Sequence, residues 1–83
     1  MEKKIGTISI VVTDRTHIEE LNRLLSIYGD IIVSRSGIPF REDNLFVISL
    51  VVKSDSDSVN ALTGKLGRIK GIKVKSILIN INK

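Results

Sequence analysis

Residues 45–53 read Leu45-Phe46-Val47-Ile48-Ser49-Leu50-Val51-Val52-Lys53, and seven of these nine positions are apolar. A short run rich in β-branched and aromatic residues reads as a strand. Side chains alternate across a strand, so Phe46, Ile48, Leu50 and Val52 point one way and Leu45, Val47, Ser49 and Val51 the other. Both sets are mostly apolar.

Outward from this strand, turn and cap residues punctuate the chain on both sides. Upstream, Gly37-Ile38-Pro39-Phe40-Arg41-Glu42-Asp43-Asn44 reads as a turn-rich connection, preceded by a strand over Asp30 to Ser36. Before that, Ile18, Leu21, Leu24, Leu25 and Tyr28 recur at helical spacing. Thr16 followed three residues later by Glu19 fits a capping box at the start of this helix, and Gly29 would end it as a C′ glycine. Ile5 to Val12 (IGTISIVV) alternates as a first strand. Downstream, Ser54-Asp55-Ser56-Asp57-Ser58 is a cap-rich lead into a helix carrying Val59, Leu62, Leu66 and Ile69 on one face. Gly71 stops it, and Ile72 to Ile81 (IKVKSILINI) forms the last strand. Gly64 and Gly67, near Ala61, suggest a close helix contact.

The order strand, helix, strand, strand, helix, strand predicts an α+β fold, a ferredoxin-like βαββαβ sandwich. Its four-stranded antiparallel sheet carries two helices on one face, with the first and third strands central. The two halves share a layout without a residue-level repeat. Length 83 accommodates one domain, residues 1–83. At this size folding removes only roughly 60–65% of the unfolded chain's surface, so small domains often need disulfides, metals or association. The chain has no cysteine and one histidine, which leaves association. No run approaches the roughly 18 apolar residues of a membrane span. Met1-Glu2-Lys3-Lys4-Ile5 leads straight into a strand pattern without a signal-peptide core, so the expected location is cytoplasmic. The formal charge is +4, and the cluster Lys65, Arg68, Lys70, Lys73 and Lys75 reads as a solvated face.

With helices on one side only, the other sheet face should be polar if it meets water. Leu45, Val47, Ser49, Val51, Ile77 and Ile79 break that expectation and are the candidate oligomer interface. A face on the order of 400 Å² would bury roughly 800 Å² in a pair, low for a stable dimer, so edge pairing or a tetramer would enlarge it. The partners expected are therefore further copies of the chain, as dimer or tetramer. A small-molecule effector is the other expected partner, and neither a membrane nor nucleic acid is expected. Asp14 and Arg15, between the first strand and first helix where helix amides can hold an anion, and Arg41, chosen by its position in the central connection, are candidate ligand contacts. The other reading of Asp14-Arg15 is a charged loop with ordinary capping. Phe40 and Arg41 follow Gly37 and Pro39 in a restricted loop. Its two readings are a recognition loop and a hairpin whose Phe40 tucks against the sheet edge.

Other features read as structure. Gly64-Lys65 is not a phosphate loop, because Val59 stands where the first glycine would be. His17 is a surface residue at a helix start, and Glu19 and Glu20 suit the helix dipole. Glu42 and Asp43 form a solvated acidic pair. No serine or threonine has a base partner, so no catalytic residue, metal ligand or cofactor is expected, and the chain is not expected to be an enzyme.

Arg35-Ser36-Gly37-Ile38-Pro39-Phe40-Arg41-Glu42-Asp43-Asn44, Ala61-Leu62-Thr63-Gly64-Lys65-Leu66-Gly67 and Gly71-Ile72-Lys73-Val74-Lys75 resemble the inferred iron-only hydrogenase system regulators. Those are short bacterial proteins related to the C-terminal domain of the nickel-responsive regulator and, more distantly, to ACT domains. The resemblance spans essentially the whole chain. It implies an ACT-like fold, oligomeric assembly and a regulatory role tied to hydrogenase maturation. The nickel regulator has histidines and a cysteine where this chain has Ser36, Ile38 and Asn44, so nickel binding does not carry over. Thr16-His17 follows Asp14-Arg15, where ACT domains often continue with Pro-Gly. Two rival functions remain on the same fold. One is an RNA-binding module, which needs stacking aromatics where only Phe46 occurs on a central strand. The other is a subunit whose apolar face docks a different protein.

Overall fold

The structure is a computed structural model that describes residues 3–81. Met1 and Glu2, part of the leader reading above, lie outside the described residues. The apolar runs become strands β1 (Lys4–Val12), β2 (Ile32–Phe40), β3 (Leu45–Ser54) and β4 (Ile72–Asn80). The stretches of 3.6-residue periodicity become α1 (Ile18–Ile27) and α2 (Ser56–Gly67). The sheet is antiparallel in the order β2-β3-β1-β4, which puts the first and third strands at its centre.

One core lies between the sheet and the helices. Ile8, Ile10 and Val12 of β1 and Ile48, Leu50 and Val52 of β3 meet Leu21 and Leu25 of α1. Val59, Leu62 and Leu66 of α2, with Ile69 beyond it, close the other half. Both helical stripes read from the sequence are the ones buried. Each fully buried aliphatic side chain contributes about 1.5–3 kcal/mol, so the core is real but short.

Four local readings are corrected. Residues 37–40 are not a connection. They extend β2, with Gly37 opposite Ile48, Ile38 opposite Val47, Pro39 opposite Phe46 and Phe40 opposite Leu45. Pro39 is tolerated because β2 is an edge strand with one neighbour. The turn itself is only a 3-10 turn at Arg41–Asp43 followed by Asn44 at φ 54. Gly29 does not take the left-handed C′ conformation. α1 passes through Tyr28 into a 3-10 turn, Gly29–Ile31, and the positive-φ glycine is Gly71. Thr16 and Glu19 form no capping box. A 3-10 turn, Arg15–His17, precedes α1, and Asp14 caps it by accepting from the Thr16 amide. Gly64 and Gly67 are exposed with open space about them, so they permit no close helix contact and only lower helix propensity.

Candidate functional site

The end of the sheet that carries the β1–α1 turn also carries the β2–β3 and α2–β4 connections, because Val12 pairs with both Phe46 and Ile72. Gly71 adopts φ +85 and offers its carbonyl to three donors: the Thr13 amide at 2.8 Å, the Thr13 hydroxyl at 3.0 Å and the Asp14 amide at 3.4 Å. A Cβ on Gly71 would lie 2.7 Å from the Asp14 Cβ, so glycine is required by conformation and by space. The two turns are thereby latched.

Asp14 uses one carboxylate oxygen, Oδ1, for two donors, the Thr16 hydroxyl at 2.6 Å and the Thr16 amide at 3.0 Å. The Thr16 hydroxyl bond and then the amide bond, helped by nearby His17 and Lys70, hold its carboxyl below the usual carboxylate range. A depressed folded-state pKa gives stability that is present at neutral pH and lost as pH falls through the folded value. We therefore expect Asp14→Asn to destabilise the protein at pH 7 and to flatten the loss of stability below about pH 4, near the unperturbed carboxylate value. Urea melts at about pH 7 and about pH 3, on either side of that value, check this.

Arg15 lies over the Phe46 ring, 5.4 Å from its centroid. The same ring occupies the space above Gly37, where a Cβ would come within 2.8 Å of it. The sequence thus sets a guanidinium on an aromatic seated in a glycine notch, an arrangement that fixes the arginine without neutralising it. Arg41 lies in the adjacent hairpin turn at the same end, exposed, and its side chain makes no hydrogen bond or ion pair among the described residues. Asp14, Arg15 and Arg41 therefore share one end of the fold, and no side-chain hydrogen bond or ion pair joins any of them to another. Beside them, Thr16, His17, Glu19, Glu20 and Arg23 line a shallow open depression along the start of α1.

The helix-free face is the second candidate. Cross-strand partners share a face, so the registers resolve it into rows. Ile38, Val47, Val11 and Lys73 make one row, and Ser34, Val51, Thr7 and Ile77 another. Between them, Ser36, Ser49, Ser9 and Lys75 cross the sheet from edge to edge. Lys53, Ile5 and Ile79 end the face on one side, and Leu45 and Phe40 on the other. Of the large hydrophobic residues most exposed among the described residues, Ile5, Ile38, Phe40, Val51, Ile77 and Ile79 are placed on this face by their cross-strand partners. Val33 sits unpaired at the bulge of β2, and Ile27 is on α1. Ile77 is 66% exposed, Ile79 63% and Ile38 55%.

All six interface candidates read from the sequence fall on this face. Leu45 and Val47 are half-buried, the rest exposed. The sequence reading missed Ile38 and Phe40, which it took for loop. It also overlooked Ile5, although the alternation Ile5, Thr7, Ser9, Val11 carries that signal. Phe40 does not tuck against the edge. It lies 44% exposed beside Leu45. The face is mostly apolar, as expected, and the hydroxyl row that includes Ser49 crosses its middle.

The model of the TM1266-like family, described as "Iron-only hydrogenase system regulator, putative", matches residues 4–76. Among solved structures, the uncharacterized protein TM1266 from Thermotoga maritima is 42% identical over 94% of this chain and 99% of its own, with a TM-score of 0.89. An ACT domain protein from Streptococcus pneumoniae shares 20% identity over 90% of this chain and 89% of its own, with a TM-score of 0.60. The PII-like protein CPII from Thiomonas intermedia K12, solved with ADP, AMP and acetate, shares 12% over 100% and 94%, with a TM-score of 0.55. The last two establish a common ferredoxin-like, ACT-like fold. No curated protein matches. No helix among the described residues is long and apolar enough to cross a membrane.

Proposed function

The chain belongs to the TM1266-like family, and on that footing we propose that it is a cytoplasmic regulatory module of the iron-only hydrogenase system. It assembles through its helix-free sheet face and holds a small anionic effector at the loop end of the sheet. The observation that carries the assembly is the concentration of exposed Ile5, Ile38, Phe40, Val51, Ile77 and Ile79 on that one face. Exposed apolar side chains gathered on one face, here in two groups on either side of the serine row, mark contact sites on small proteins. The strands are nine or ten residues long. At about 3.4 Å per residue and about 4.8 Å between strands the face covers about 600 Å², so two faces together bury about 1,200 Å², the lower bound of a stable interface.

The effector site rests on Arg15, fixed over Phe46 with its charge free, and Arg41 at the same end. A planar guanidinium favours carboxylate or phosphate groups. The nucleotide-binding and acetate-binding CPII on the same fold makes such ligands reasonable to screen first. Asp14 Oδ1 accepts from Thr16, and no catalysis is proposed for this end of the sheet. The RNA-binding alternative finds no support on the central strands, whose open-face residues are aliphatic, hydroxyl-bearing or lysine. The aromatic Phe46 faces the helices.

A thermal-shift screen with AMP, ADP, acetate and free amino acids tests the effector site. At least one anion should raise the melting temperature, and Arg15→Gln should cancel that rise while lowering the unliganded stability by no more than about 1 kcal/mol, the loss of one exposed cation–π contact. A screen without any shift would remove the effector from the proposal.

A further inference from the structure

We infer that the occupant of the open face is a second copy set so that its β2 lies over the first copy's β4. This rests on the assembly proposed above and adds the orientation of the partner. Two sheets packed face to face keep their strands within about 30° of each other. A two-fold axis in the plane between them then runs either along the strands or across them. Along the strands, β4 of one copy faces β2 of the other, and each Lys75 comes over the end of a partner's serine row. Across the strands and along the serine row, β4 faces β4, and Lys75 comes over its own symmetry mate.

The charges on the face choose between the two. Its cations are Lys53, Lys73 and Lys75, and no carboxylate lies on it among the described residues. Two of the three stand on β4, in neighbouring rows. A β4-over-β4 pairing would press like charges together with no acid in either copy to relieve them, and such juxtapositions oppose association. With β2 opposite, Lys75 faces the Ser36 hydroxyl and Lys73 faces Ile38, and both ammonium groups reach solvent past the edge strand. β2 presents Ser34, Ser36, Ile38 and Phe40 to this face, without a charge. In the middle of the pair, Ser9 of one copy then lies over Ser49 of the other, where the two hydroxyls supply donor and acceptor to each other.

Ser36→Glu separates the arrangements by sign. With β2 over β4, each introduced carboxylate meets a partner's lysine, and two such pairs should tighten the dimer by roughly fivefold. With β2 over β2, the two introduced carboxylates meet each other and the dimer weakens. Sedimentation equilibrium of wild type and Ser36→Glu, at low and at high salt, reads this directly. A tighter Ser36→Glu dimer whose advantage shrinks in high salt is expected. A dimer that is looser or unchanged overturns the orientation while leaving the assembly standing. A wild-type chain that stays monomeric overturns both.

Discussion

Val51→Lys is expected to convert the assembled protein into a folded, single protomer. Val51 stands on central strand β3, one row from the serine row, and its side chain points away from the core at 37% exposure. The protomer loses little, because a lysine there is simply solvated. The assembly loses much, because each copy would bury an ammonium group against a face that holds no carboxylate among the described residues. An uncompensated charge in an interface costs about 3–5 kcal/mol, a weakening of at least about a hundredfold. Gel filtration with light scattering should show the protomer, and circular dichroism should show unchanged secondary structure. A Val51→Lys protein that still assembles would mean that the edges, not the face, make the contact.

Gly71→Ala is expected to have the opposite signature, a damaged protomer. Alanine at φ +85 is strained, and its Cβ would collide with Asp14 at the turn where three donors converge on the Gly71 carbonyl. The expected loss is about 2–4 kcal/mol. In a domain this small that lowers the melting temperature by roughly 10–20 °C at matched concentration. Because the latch also positions Asp14 and Arg15, any anion-induced rise in melting temperature should weaken as well. The Gly29→Ala control should be close to neutral, since Gly29 is exposed, has no positive φ, and has nothing within 4 Å of a built Cβ.

The contrast between these two glycines shows what the sequence makes legible. Both follow a helical stripe and both read as stop signals. Only Gly71 carries the left-handed backbone, because the chain there must turn into β4 while its carbonyl meets β1's exit. That requirement is tertiary and has no local signature. The stretch Gly37-Ile38-Pro39-Phe40 failed for a related reason. Glycine and proline mark turns in a linear reading, yet an edge strand tolerates a proline, and Gly37 is needed to make room for the Phe46 ring. The expected strand order already made this strand an edge, and what a linear reading lacks is the register that carries it through Pro39 to Phe40 opposite Leu45. Helix faces and core were legible because periodicity encodes them directly, and strand order because the element sequence and right-handed crossovers fix it. Residues such as Ile8, Leu50, Leu62 and Leu66 sit where alternation or the helical stripe puts them.

The candidate sites divide in the same way. Leu45, Val47, Ser49, Val51, Ile77 and Ile79 could be assigned to one face from alternation alone. The row Ser36, Ser49, Ser9 and Lys75 could not, since it exists only once four strands are aligned in register. Asp14, Arg15 and Arg41 were chosen by position between elements. The pairing of Arg15 with Phe46 emerges from the fold, because those residues are distant in the chain and meet only across the end of β3.

The most direct measurement is sedimentation velocity on the purified wild-type chain across the micromolar range. If copies of the chain cover the helix-free face, the sedimenting mass is that of two or more protomers and falls toward one only on dilution. A single protomer at every concentration, with Ile77 and Ile79 left in water, would contradict it.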